Sequence, residues 1–462
     1  MSNPEHAEWV VVTAIGGIAL VLVVGAAFAA LARRLGQPAV IGEITAGICL
    51  GPSLLGLLPG DLPGLFFPLE VRPYLGVVAQ VGLLLFMFTI GWEFDHTSLR
   101  GRRRTTGTVW LSAAVTPMLL GVGLAALLFG TYGTVGGRDI DFLDFALFLG
   151  TAMSIAAFPV LARIITDKRL HLSRVGSLAL ALAALDDVLA WCLLAVVVAL
   201  VTASGAAGFL GVIGWGAVYV IVMLAVVRPV LAALAARATS ATTPWLAALA
   251  AAGALASAYV TSEIGLHAIF GAFFFGLVMP RRDPHELLRR GALVPIEHLS
   301  RMLLPLFFVV TGLSVDLTAL SATGALHMAL IIVVACVGKL GGVLVSARLN
   351  GMGWRESTVL GLLMNTRGLT ELVILNVGLG LGLLSTELFT ALVMMALVTT
   401  AMTAPLLSWL LRRGLHEAGG AEGAAARGTG PVTSPAAAPQ AADADGADAL
   451  VGSTASKSQR TH

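Results

Sequence analysis

Asp186 and Asp187 lie side by side in the middle of an apolar stretch that runs from Val175 to Leu194. The stretch is long enough to cross a bilayer, and each carboxylate at that depth costs roughly 2.5–3.5 kcal/mol on insertion scales. An acidic pair is excluded there unless it faces water, a cation or a counter-charge, so the chemistry it suits is ion or proton binding. Neighbouring helix residues point about 100° apart, so the two carboxylates cannot face one spot. Lys339 is a third embedded charge, set in Val337-Gly338-Lys339-Leu340-Gly341-Gly342. A buried ammonium requires a carboxylate partner. One aspartate is therefore expected to pair with Lys339 while the other faces a cavity. Arg367 and Glu371 are four residues apart and can form a structural ion pair on one helix face. Glu43, near a membrane end, is read as structural, and His267 and His327, near span ends, are given no role.

The elements that carry these residues follow from composition. The chain has 462 residues, is 57% hydrophobic and only 12% charged, about half the charge of a soluble domain. It reads as a polytopic membrane protein. Its net charge of +2 is too small to suggest a nucleic-acid partner. Cys49, Cys192 and Cys336 fall in apolar segments without metal or disulfide spacing and read as packing residues. The first apolar run ends in Arg33-Arg34, as a retained span rather than a cleaved leader would.

Apolar runs of about 20 residues occur thirteen times between Trp9 and Leu411, the eighth and ninth being short. Alternate loops are basic, among them Arg33-Arg34, Arg102-Arg103-Arg104, Arg289-Arg290 and Arg412-Arg413. The opposite set carries only Arg72 and Arg138. Positive charge favours the cytoplasmic side. The expectation is an amino end outside and a carboxyl end in the cytoplasm of an inner-membrane protein. Residues 414–462, rich in Ala, Gly, Ser, Pro and Thr, have no apolar periodicity to bury and are expected to form a disordered cytoplasmic tail.

The segment 85–99 aligns without gaps on 306–320, with Leu, Phe, Gly, Asp, Thr and Leu recurring at matching positions. The copies end the third and tenth spans, seven spans apart, so they must have opposite orientation. Inverted repeats of this kind are common in secondary transporters, with the site at mid-membrane. If spans three and ten correspond, so do five and twelve. Span five holds Gly150-Thr151-Ala152-Met153-Ser154 and then Pro159, and span twelve holds Met364-Asn365-Thr366-Arg367-Gly368-Leu369-Thr370. Paired interruptions in corresponding spans point to a transport site. An unwound backbone frees carbonyls, and with the Thr151 and Ser154 hydroxyls these are hard oxygen ligands that suit a small hard cation.

On these motifs, with Pro38-Ala39-Val40-Ile41-Gly42-Glu43-Ile44-Thr45-Ala46-Gly47-Ile48-Cys49-Leu50-Gly51-Pro52, the chain resembles the monovalent cation:proton antiporter-2 family over nearly all of residues 10–412. The segments 156–164 and 364–372 look most like its plant-type exchangers. The tandem Asp186-Asp187 is similar to its electrogenic Na+/H+ members. The resemblance implies an all-α Na+/H+ antiporter-like fold of about thirteen transmembrane helices in residues 1–413, with inverted repeats and two crossed broken helices. A core (about 107–201 and 325–411) would move against a dimerisation panel (about 9–93 and 244–315). It implies Asp187 as the main cation and proton carboxylate and Asp186 as the breakable partner of Lys339. Thr151, Ser154, Asn365 and Thr366 would lie at the crossing, and Asp187, Asp186 and Thr151 would hold the monovalent cation.

The expected function is antiport of Na+ or K+ against protons by alternating access in a homodimer within the lipid bilayer, with no cofactor and no enzymatic activity. A proton-coupled exporter of a small organic ion and a cation channel are the alternatives. An aspartyl protease dyad must share one water from facing positions, which adjacent residues on one helix cannot do.

Overall fold

The computed structural model describes residues 4–60, 62–93, 103–168, 170, 173–202, 206–237, 243–280 and 289–428. Its described residues are almost wholly helical. The helices are α1 (Pro4–Arg34), α2 (Ala39–Leu50), α3 (Leu62–Phe66), α4 (Arg72–Glu93) and α5 (Arg103–Tyr132), followed by a two-residue hairpin pairing Thr134–Val135 with Arg138–Asp139. Then come α6 (Phe142–Ser154), α7 (Phe158–Asp167), α8 (Arg174–Thr202), α9 (Ala206–Val222), α10 (Arg228–Ala236), α11 (Thr243–Glu263) and α12 (Ala268–Val278). The last are α13 (Val294–Leu313), α14 (Ala322–Cys336), α15 (Gly342–Leu349), α16 (Trp354–Met364), α17 (Leu369–Gly380) and α18 (Thr386–Gly428).

Among the described residues ten helices are long and apolar enough to cross a membrane, or up to eleven when α16 and α17, bent by 41° at their break, count as one span. The shorter apolar helices Phe142–Ser154 and Ala268–Val278 occupy the places of the fifth and ninth expected spans. The fifth is short because the chain leaves the helix at Ile155-Ala156-Ala157 before α7 begins. Backbone helix continues past Arg413 to Gly428, into the segment expected to lack structure, and residues 429–462 lie outside the described ones. The first copy of the repeat is described only to Glu93, so its Asp95 lies outside the described residues as well.

One group of helices packs α1 on α2, α2 and α4 on α13, and α12 on both α4 and α11. Two glycine crossings set its spacing. A Cβ at Gly276 of α12 would lie 2.1 Å from the Phe88 carbonyl oxygen of α4, and one at Gly47 of α2 would lie 2.1 Å from the Val309 oxygen of α13. Phe88 and Val309 are equivalent in the aligned repeat. The reciprocal glycines, Gly91 and Gly312, are equivalent too, and approach Phe273 and Ile44 in the same way. Spans two and nine thus exchange partners with spans ten and three, the arrangement that a duplicated unit produces.

The other group gathers α5, α6, α8, α15, α16 and α17. Pro117 lies inside α5 and leaves the carbonyl of Ala113, four residues earlier, without its helical donor. A π-helical turn, Val337–Gly341, joins α14 to α15 and holds Lys339. Such turns arise where a helix takes up an extra residue, often at functional sites. Side chains at Gly338 and Gly342 would meet Pro117 and Thr116 of α5 at about 3 Å, so these glycines bring the lysine's backbone close to α5.

Candidate functional site

The two interruptions meet. The Ala157 N–H, in the gap between α6 and α7, donates to the Thr366 carbonyl in the gap between α16 and α17 at 3.1 Å. Gly368 sits at the crossing, where a Cβ would come within 2.6 Å of Val160. Thr400 of α18 staples the second gap from behind: its hydroxyl donates to the Arg367 carbonyl at 2.8 Å and accepts the Arg367 N–H at 3.0 Å.

Five charged side chains converge here. Lys339 Nζ donates to Asp186 Oδ2 at 2.6 Å, to the Ala113 carbonyl at 3.0 Å and to the Ser154 carbonyl. An ammonium has three donors, and each is used. Both Lys339 and Asp186 are buried. The Ala113 carbonyl is free to accept because Pro117 has no N–H to offer it. Arg367 Nη1 donates to Ala152 O at 2.9 Å and to Glu371 Oε1 at 2.8 Å, and Nη2 donates to Met153 O at 2.8 Å. Arg367 and Glu371 are also buried.

The last carbonyls of half-helix α6 therefore face two cations. At the opposite end of the gap, the Ala156 N–H is directed at Asp186 and the Phe158 N–H, at the start of α7, at Asp187. Cations at a helix carboxyl end and anions at an amino end match the helix dipole. The Trp110 indole also faces Asp186. The approach of Trp110 falls short of full hydrogen-bond geometry, since Trp110 Nε1 has no partner among the described residues, nor has Asp186 Oδ1.

Four of the five charges cancel as two ion pairs, which leaves Asp187. Its Oδ1 accepts the Thr370 hydroxyl at 2.9 Å, from the first turn of α17. It is the one member of the set that keeps open surface. Along the same helix, Val373, Asn376 and Val377 line a cavity of about 230 Å³ with Gln80, Leu83 and His267. Asn376 Nδ2 crosses to Thr311 Oγ1 of α13 at 3.0 Å.

The expectation that freed carbonyls would serve as cation ligands needs correction. Ala152, Met153 and Ser154 give their carbonyls to Arg367 and Lys339 in charge-assisted hydrogen bonds, and Thr366 gives its carbonyl to Ala157. The Ser154 hydroxyl is used locally, donating to Thr151 O at 3.0 Å. The side-chain oxygens of Thr151, Thr366 and Asn365 are buried without a hydrogen-bond partner, so they retain their acceptor capacity at the crossing. Among the described residues no group of three or more His, Cys, Asp or Glu forms a metal cluster. Reasoning from sequence missed Thr370, which stood at the end of a quoted motif, and missed Ala113, which the Pro117 spacing marks. It gave His267 no role, yet His267 lines the cavity.

The model of a family described as sodium/hydrogen exchanger, transmembrane, matches residues 18–413. A Na(+)/H(+) antiporter, NhaS4, from Synechocystis is 39% identical over 394 residues, covering 84% of this chain and 94% of that protein. Cation/H(+) antiporter 20 of Arabidopsis thaliana is 37% identical over 86% of this chain, and K(+)/H(+) antiporter 1 of Saccharomyces cerevisiae is 35% identical over 80% of it. The matches cover only 48% and 43% of those two proteins. A solved structure of the sodium proton antiporter MjNhaP1 from Methanocaldococcus jannaschii superposes with a TM-score of 0.63 over 87% of this chain and 98% of that one, at 15% identity. That likeness is one of fold.

Proposed function

Because the chain belongs to the sodium/hydrogen exchanger transmembrane family, we propose that it is a secondary antiporter that exchanges a monovalent cation, Na+ or K+, for protons by alternating access. The observation that carries the assignment of the site is the charge balance at the crossed helices. Asp186 with Lys339 and Arg367 with Glu371 cancel, and Asp187 is left as a single carboxylate with open surface.

An empty, ionised Asp187 resists transfer across the low-dielectric barrier at a cost of roughly 2.5–3.5 kcal/mol on insertion scales. A proton or a cation at Asp187 removes that cost. The two compete for one carboxylate, so the loaded forms cross and the empty form does not, and exchange is the consequence. Asp186 is the second carboxylate of the site, held in reserve by Lys339. Thr151, Asn365 and Thr366 supply neutral oxygens that are without partners when no cation is bound.

In this reading helices α5–α8, α14–α17 and α18 as far as Leu411 move as the core against α1–α4 and α11–α13. The distribution of Arg and Lys between loops supports an amino end outside and a carboxyl end in the cytoplasm. The exposed apolar side chains of α1 and α9, such as Val12, Ile15, Leu210 and Trp215, suit lipid and a second copy of the chain.

Antiport into proteoliposomes tests the proposal. A pre-formed proton gradient is followed with a pH dye while Na+, K+, Li+ or choline is added. The expected result is dissipation by Na+ or K+ and not by choline, abolished in a folded Asp187→Asn variant. Full exchange in that variant would remove Asp187 from the mechanism. No response to any alkali cation would favour an organic-ion exporter.

A further inference from the structure

Thr370 lies in the first turn of a membrane helix, and it does not follow a pattern that several threonines in this chain's helices share. Thr45, Thr311, Thr358, Thr399 and Thr403 each donate their hydroxyl to the carbonyl four residues earlier. Such back-bonding satisfies a hydroxyl within its own helix. Thr370 departs from it. Its fourth predecessor is Thr366, which lies in the gap and whose carbonyl already accepts the Ala157 N–H. With that acceptor engaged by the crossing, the Thr370 hydroxyl reaches across to a residue 183 positions away and donates to Asp187 Oδ1 at 2.9 Å. It is 2% exposed, so no bulk water competes for it.

We propose that Thr370 is a reversible ligand of the transported cation: its hydroxyl donates to the empty Asp187 carboxylate and rotates to present its oxygen to the cation once one is bound. The inference rests on the antiport reading and deepens it. A hydroxyl carries one donor and two acceptor lone pairs, and its hydrogen turns freely about the C–O bond. One side chain can therefore serve all three occupants of the site without leaving its rotamer. It donates to the bare anion, accepts from the protonated carboxyl, and offers an oxygen to Na+ or K+. A backbone amide such as Phe158 N–H, which is directed at the same carboxylate, can do only the first. The charged neighbours of Asp187 are Asp186 and, through it, Lys339, and those two are already committed to each other. The oxygen of Thr370 is thus the adaptable neutral contact of the free carboxylate. Because it rides on α17, it also ties the state of Asp187 to the helix that lines the cavity at Val373, Asn376 and Val377.

The test uses the full-length chain, purified and reconstituted, as wild type and as Thr370→Val and Thr370→Ser. Valine keeps the shape and removes the hydroxyl. Serine keeps the hydroxyl. The expected result for Thr370→Val is an apparent KM for the cation raised about tenfold or more, because the oxygen lost to the bound cation, a contact with a full charge, outweighs the hydrogen bond lost to the empty carboxylate, with kcat much less affected. Competition by protons should begin at a higher pH than in wild type, because the empty carboxylate has lost a donor. Thr370→Ser should restore both. Unchanged KM and pH profile in a folded Thr370→Val overturns the proposal. So does a fall in kcat alone that serine fails to rescue, which is the mark of a packing role. Cation protection of the thermal transition in detergent reads the same contact without transport. Protection lost with valine and kept with serine supports it, and equal protection in all three forms overturns it. Absence of exchange by wild type would strike the antiport reading, while the protection assay still decides the fate of Thr370.

Discussion

The Asp186–Lys339 pair allows a prediction in which the double replacement should be milder than either single one. The two charges are buried and 2.6 Å apart. At an effective dielectric of about 20 their attraction is about 6 kcal/mol. Desolvation costs several kcal/mol for each ion, so the pair as a whole contributes close to nothing against a neutral replacement. Removing one partner is another matter, since it leaves an uncompensated charge and costs about 3–5 kcal/mol. Lys339→Gln and Asp186→Asn should each therefore lower stability strongly. The double variant should recover most of the loss, because an amide facing an amide restores neutrality, and the side-chain amide introduced by Lys339→Gln has two donors for the Ala113 and Ser154 carbonyls. The assay is a double-mutant cycle of thermal midpoints in detergent, with monodispersity by size exclusion as a check on folding. The expected coupling is several kcal/mol, favouring the double variant. A double variant as unstable as the sum of the singles would refute the reasoning. It would mean that the lysine is needed for its shape or its carbonyl contacts and not to neutralise Asp186.

The remaining predictions concern the elements around that pair. Pro117→Ala returns to α5 an N–H that competes for the Ala113 carbonyl, so Lys339 should lose an acceptor worth about 1.5–3 kcal/mol. The expected outcome is a less stable protein, although a proline has been removed from a helix, and a raised melting temperature would contradict it. Gly276→Ala and Gly47→Ala should each cost about 1–3 kcal/mol or more by overpacking, since both place a Cβ 2.1 Å from a carbonyl oxygen. Gly380→Ala, with open space around it, should be close to neutral, and equal melting of all three would show that the crossings are looser than described. In the proposed mechanism proton and cation compete for Asp187 by mass action. Where the carboxyl is mostly protonated, each unit fall in pH should therefore raise the apparent KM for the cation about tenfold and leave the maximal rate unchanged. Initial-rate kinetics that instead lose only the maximal rate would point to a pH sensor elsewhere.

Much of the fold was legible because a bilayer imposes a coarse rule. A span needs about 20 apolar residues, and the long apolar helices stand where such runs occur. The repeat was legible as well, and the structure gives its shared glycines a purpose: Gly91 and Gly312 recur because each crosses a partner helix at backbone distance. That Lys339 pairs with one of the two aspartates followed from the impossibility of leaving a buried ammonium alone, and the family resemblance pointed to Asp186. Other parts were not legible, because they depend on which groups meet across the interruptions. Sequence shows that an unwound backbone frees carbonyls, but not that Arg367 and Lys339 will occupy them. It shows Thr370 inside a motif, but not that the carbonyl behind it is already engaged. The proline-freed carbonyl of Ala113 was within reach of sequence reasoning, since the rule is local, but its acceptance of Lys339 is not a local fact.

The use of those carbonyls bears on how a membrane protein keeps an exchangeable charge exchangeable. A broken helix exposes a partial negative charge at one end and a partial positive charge at the other. Left bare, the carbonyl end, with about half a negative charge, would compete with the carboxylate for cations. Arg367 and Lys339 close that end. The amide end is closed by Asp186 and Asp187. Of these four groups, three are held in ion pairs or saturated hydrogen bonds, and each would cost several kcal/mol to release. Asp187 is held by a hydroxyl, with a backbone amide directed at it, neutral donors that stabilise it without neutralising it. The fixed cations of the crossing thus do more than mend an interrupted helix. By pairing with Asp186 and Glu371 and capping the freed carbonyls, they leave Asp187 as the carboxylate without a counter-charge, which is the place the proposed exchange requires.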